Sequence, residues 1–152
     1  MKAAHRAAAI YARIALGTAF LSAVAGRFGW WDARPHPFAS FVDYTAQVLS
    51  FVPRAAIPFF AIAATIAELT LGVLLIAGVR LRWTAPAAAI LLGVFAVSMA
   101  ISFGIKSPLD ESVFSASAAA LLLYATSASP QSSSSMNAGP RMRSPRASTH
   151  GR

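Results

Sequence analysis

The sequence predicts an all-α integral membrane protein, a four-helix bundle with a short external interfacial helix between its first two spans, and three observations predict it. Hydrophobic residues make up 57% of the chain and charged residues only 12%, against roughly a quarter charged in a soluble domain. Four apolar runs, residues 8–26, 57–79, 83–105 and 112–128, approach or exceed the length needed to cross a ~30 Å hydrocarbon layer, about 20 helical residues. Over such lengths only helices satisfy every backbone group in lipid, apart from closed barrels, whose short alternating strands the sequence lacks. The net charge of +8 would suggest nucleic acid in a soluble chain, but the basic residues sit mostly at the edges of apolar runs. The expected organisation is a short N-terminal segment (1–7), a membrane domain (8–128) and a tail (129–152).

The first run follows the basic start "MKAAHR" and ends near "AVAG", features shared with a cleaved signal peptide. Arg13 interrupts the apolar core that such a peptide needs, so the run reads as a retained helix. Between the first two runs, Phe38, Phe41, Val42, Thr45, Val48, Leu49 and Val52 recur at helical spacing, with Pro37 before them and Pro53 after. This predicts an amphipathic helix lying at the outer interface as a lid, with substrate gating as the alternative role. Trp30, Trp31, Tyr44 and Phe51 fit an aromatic belt there. The second and third runs are continuous. The fourth is rich in serine and alanine and rests on Val113, Phe114 and the apolar cluster 121–124. Beyond it, the serine- and proline-rich tail has too little apolar surface to repay ordering and is expected to be disordered, its arginines near anionic lipid.

Orientation follows from lysine and arginine, which stay cytoplasmic in short loops. Lys2, Arg6, Arg13, Arg80, Arg82, Arg141, Arg143, Arg146 and Arg152 fall on one side, and Arg27, Arg34, Arg54 and Lys106 on the other. Both termini are therefore expected in the cytoplasm.

Glu68 is the ionisable residue that needs explaining, because it lies midway along the second run. An acid there costs about 2.5 to 3.5 kcal/mol unless paired or protonated, so it must face inward. Ala61, Ala64, Thr65 and Gly72 share its helical face, a small and partly polar stripe suited to close helix contact. Ala9, Arg13 and Gly17 form a comparable stripe on the first helix. If the two spans are centred on one another, roughly 6 Å of axial offset separates Arg13 from Glu68. The expectation is an Arg13–Glu68 pair, direct or through Thr65, acting as a clasp between helices. The functional alternative is a proton or quinone-headgroup site.

A second polar stripe, Ser98, Ser102 and Lys106, descends the third helix toward the outer surface. Lys106 and Asp110 bracket the turn "KSPLD", where Asp110 or Ser112 could cap the fourth helix. Arg27, Asp32, Lys106 and Asp110 are the charged residues best placed to meet a ligand from outside. No cysteine is present, which excludes disulfide, thiol and thiolate-metal chemistry on these residues. His5, His36 and His150 lack the spacing for haem or zinc.

The stretches "RIALGTAFLSAVAGRFG", "AELTLGVLLIAGVRLRWTAP" and "GIKSPLDESVFSASAAALLL" resemble the DoxX-like family of small bacterial membrane proteins, over roughly residues 13–124. The resemblance implies a four-helix bundle in the bacterial cytoplasmic membrane and links to sulfur and quinone redox chemistry or to oxidative-stress complexes. It carries no defined activity.

The expected function is a non-catalytic subunit or scaffold of a membrane redox or stress-response complex. Its partners would be the lipid bilayer, a membrane redox protein and a second copy of the chain, with no nucleic acid and no cofactor of its own. The alternative is a quinone-linked oxidoreductase component, or a small-solute or proton transporter using Glu68. Four helices without an internal repeat lack the usual inverted architecture of a carrier, although a homodimer could supply it.

Overall fold

The computed structural model describes residues 2–31 and 35–128; the tail expected to be disordered lies outside the described residues, as do Asp32 and Arg34. Among the described residues all regular structure is helical. The chain forms α1 (Lys2–Arg27), α2 (Pro37–Val48), a short 3-10 helix (Arg54–Ala56), α3 (Ile57–Ala77), α4 (Leu81–Phe103), α5 (Lys106–Asp110) and α6 (Val113–Ala128). Three segments, within α1, across the 3-10 helix and α3, and along α4, are long and apolar enough to cross a membrane. At 16 residues, α6 rises about 24 Å and falls short of the ~30 Å layer.

The long helices are apolar outside and small or polar inside, the reverse of a water-soluble bundle. On α3, Ile62, Ile66, Leu69, Val73 and Ile76 are exposed, whereas Ala61, Thr65, Glu68, Gly72 and Leu75 are buried. On α4, Ile90, Val94, Val97 and Ile101 face outward while Ala85, Ala88, Ala89 and Ala96 face in. Both outward sets recur at alternating steps of three and four residues, so each makes one continuous apolar face. Such faces suit hydrocarbon, and the small inward residues let backbones approach.

Two helix pairs carry most of the packing. In the first, α1 runs antiparallel to α3 with Gly17 against Gly72: a Cβ on Gly17 would lie 2.9 Å from the Gly72 carbonyl oxygen, and one on Gly72 would lie 3.1 Å from the Gly17 oxygen. In the second, α4 and α6 meet through alanines, and Ser117 Oγ on α6 donates to the Ala89 oxygen at 2.9 Å. A core of Leu16, Phe20, Leu75, Ala85, Ala88, Ala89, Ala120 and Leu123 joins both pairs.

The turn between α3 and α4 has a specific stereochemistry. Gly78 takes φ 72°, a left-handed C-cap, and Val79 N–H returns to the Leu74 oxygen at 3.1 Å. A side chain at Gly78 would be strained by that φ and would also run into the Arg13 guanidinium. Although this turn joins them, α3 and α4 touch little along their length. At the opposite end α2 packs against both.

Helix α2 covers the predicted spacing from Phe38 to Val48, while Leu49 caps its end and Val52 lies beyond it. His36 precedes it at φ 53°, and Pro37 opens it in the first turn, where no N–H is needed. The sequence reading missed α5: "KSPLD", read as a turn, folds as a single helical turn with Pro108 buried.

Candidate functional site

Glu68 is buried, 2% exposed, on the face of α3 turned toward α1. Its partner is Arg27 from the last turn of α1, not Arg13. Arg27 Nη2 donates to both carboxylate oxygens of Glu68 at 2.7 Å, and Nη1 donates to Thr65 Oγ1 at 3.0 Å. Thr65 Oγ1 in turn donates to the Ala61 oxygen at 2.8 Å. The Phe41 ring of α2 covers the guanidinium, 3.7 Å from Cζ to centroid, a cation–π contact that closes the site from above.

Two geometric facts explain why the expected Arg13–Glu68 pair does not form. The contact of Gly17 with Gly72 sets the register, so Glu68 lies about one turn beyond the level of Gly17 toward the Arg27 end. That places Arg13 about 12 Å away along the axis, twice the offset expected from centring the spans. Side chains also lean toward the N-terminus of their own helix. Because α1 and α3 are antiparallel, Arg27 leans down from the end of α1 while Glu68 leans up from α3, and the two converge. Arg13 leans away. Its Nη2 donates to the Ile76 oxygen at 3.1 Å, so the cation meets a free carbonyl at the C-terminus of α3.

The remaining predicted site residues are dispersed. Thr65 belongs to the clasp. Ser102 Oγ donates to the Val48 oxygen at 2.7 Å and meets Ser50 Oγ at 2.9 Å, fastening the end of α4 to the end of α2. Ser98 is buried on α4, one turn away from this fastening, and lines a cleft. Of the charges expected to meet an external ligand, Arg27 is instead buried at 9% exposure. Lys106 and Asp110 pair with each other on the exposed side of α5, so Asp110 is engaged there and does not cap α6. Asp32 lies outside the described residues. The sequence did contain a signal for Arg27: an arginine ending an apolar helix leans back toward that helix's own middle.

Next to the clasp, a cleft of about 620 Å³ opens between α3 and α4 beneath α2. Its walls are almost wholly apolar, with Arg27, Tyr44, Thr45 and Ser98 as the polar side chains. A smaller cleft of about 410 Å³ lies on the other side of Arg27, Phe41 and Tyr44, which border both. Burial raises the pKa of Tyr44 above its ordinary 10.0, and the negative charge of Glu111 adds to the effect. Among the described residues no group of three histidine, aspartate or glutamate side chains is placed to hold a metal ion.

Compared with known protein families, residues 5–112 match the family described as methylamine utilisation protein MauE. This corrects the resemblance to the DoxX-like family, which is a different family; glycine, leucine and a basic turn recur in many membrane helices and do not separate the two. No curated protein and no solved structure matches the chain.

Proposed function

The chain belongs to the MauE family, small membrane proteins of methylamine utilisation, since the match covers most of its length, and on that premise we propose that it is a non-catalytic membrane component of an amine-oxidising redox system. Utilising an amine withdraws electrons from it, so such a system has redox proteins that a membrane component can hold or serve. The observation that carries this reading is the closed clasp. Arg27, Glu68, Thr65 and Ala61 satisfy one another, and the paired charges sit between α1 and α3 under Phe41. An arrangement of this kind fixes which helix faces meet. With no cysteine in the 152 residues, any thiol redox chemistry is left to a partner.

In this reading α1, α3, α4 and α6 form a four-helix bundle in the bacterial cytoplasmic membrane, with α2 as the external interfacial helix and both termini in the cytoplasm. Affinity purification of the tagged chain from native membranes tests the role. A redox protein should co-purify reproducibly, and the pure chain should show no quinone-dependent turnover. Recovery of the chain alone, or turnover by the pure chain, would overturn the proposal.

A further inference from the structure

The cleft between α3 and α4 holds a hydroxyl that the fold leaves unanswered. Interior hydroxyls elsewhere in the described helices donate to carbonyl oxygens: Thr65 to Ala61, Thr84 to Val79, Ser102 to Val48 and Ser117 to Ala89. Ser98 is 6% exposed, borders the cleft and has no such partner. Leaving a buried hydroxyl unpaired is costly in an apolar setting. Its small exposure is to the cleft, so a molecule in the cleft could supply the missing acceptor.

We propose that this cleft binds a lipid-soluble carbonyl compound of the quinone class, whose carbonyl oxygen accepts a hydrogen bond from Ser98. Four features select the chemistry. The volume of about 620 Å³ lies within the usual ~300–1,000 Å³ of small-molecule sites. Phe60 and Val94 border the cleft and are also exposed on the apolar exterior, so an occupant arrives from hydrocarbon. Arg27 reaches the cleft edge with its charge already matched by Glu68, which favours a neutral head over a carboxylate or phosphate. Aromatic side chains of Phe41, Tyr44 and Phe95 offer flat walls for a ring. The proposal requires membrane residence but not the redox partner, and it asks for binding without electron transfer by the chain.

The test uses the full chain in phosphatidylcholine nanodiscs with radiolabelled decylubiquinone as probe and oleate as competitor. Binding should be saturable and resistant to equimolar oleate. Ser98→Ala should weaken it about 3- to 10-fold, the effect of losing one hydrogen bond. Ala67→Phe, which fills the cleft from α3, should abolish it while the unfolding temperature stays near wild type; if that variant does not fold, Ser98→Ala decides alone. Absence of saturable binding, unchanged affinity in Ser98→Ala, or displacement by oleate at equal concentration would overturn the proposal, the last marking a groove for acyl chains.

Discussion

Arg27 and Glu68 can be uncoupled by single substitutions, and the geometry fixes what each leaves behind. Glu68→Gln keeps an acceptor oxygen for Arg27 but leaves the guanidinium without a counter-charge, beneath a phenyl ring that offsets only part of the loss. Arg27→Met keeps the apolar stem but removes every donor that Glu68 has, and Thr65 does not replace them because its hydroxyl donates to the Ala61 oxygen. With Glu68 2% exposed, water compensates neither variant well. Each should cost about 3 to 5 kcal/mol, as for breaking other buried pairs. By the scaling of soluble domains that lowers the unfolding temperature by roughly 10 °C or more. The double variant has no stranded charge, only a buried amide whose unmet hydrogen bonds cost about 1 to 3 kcal/mol. The cycle should therefore show a coupling of several kcal/mol in detergent unfolding. Arg13→Met combined with Glu68→Gln should instead be additive within about 0.5 kcal/mol, since the two sites share no contact. Additive losses for Arg27 and Glu68, or strong coupling for Arg13, would refute the assignment.

Gly17→Ala should destabilise the α1–α3 pair more than Gly72→Ala. The new Cβ at residue 17 would stand 2.6 Å from Ile76 Cγ1 and 2.9 Å from the Gly72 backbone oxygen, while at residue 72 it would stand 2.9 Å from Leu21 Cδ2, which can rotate away, and a looser 3.1 Å from the Gly17 oxygen. Overpacking of this kind costs about 1 to 3 kcal/mol, and thermal unfolding of both variants in detergent measures the order. Spectrophotometric titration should place the Tyr44 phenol above 10.0, and Glu111→Gln should remove the smaller part of the shift because burial is the larger cause. Since the folded value exceeds the unfolded one, the associated stability is complete below about pH 10 and is lost as pH rises through the folded value.

Much of the fold was legible because hydrocarbon demands a pattern that soluble folding does not. The apolar runs at 57–79 and 83–105 contain α3 and α4 to within a few residues, and Pro37 with the spacing of Phe38, Phe41, Thr45 and Val48 marked α2. That Glu68 faces inward followed from the cost of its charge in lipid. The identity of its partner did not, because hydropathy is blind to register: the contact of Gly17 with Gly72 shifts α1 against α3, and that shift exchanges Arg13 for Arg27. The cleft was hidden for a related reason. Ser98 reads from sequence as one member of a polar stripe, and only the packed helices show that it lines the cleft while Ser102 finds its acceptor on α2.

The central claim is that the Arg27–Glu68 pair holds helices together and that the chain works through a redox partner. Capturing that partner with the Arg27→Met, Glu68→Gln double variant tests it most directly. If the pair is a clasp, the folded double variant should bring down the partner from native membranes at close to the wild-type yield. A double variant that unfolds at a near-wild-type temperature yet captures no partner would contradict the claim and assign the two charges to function itself.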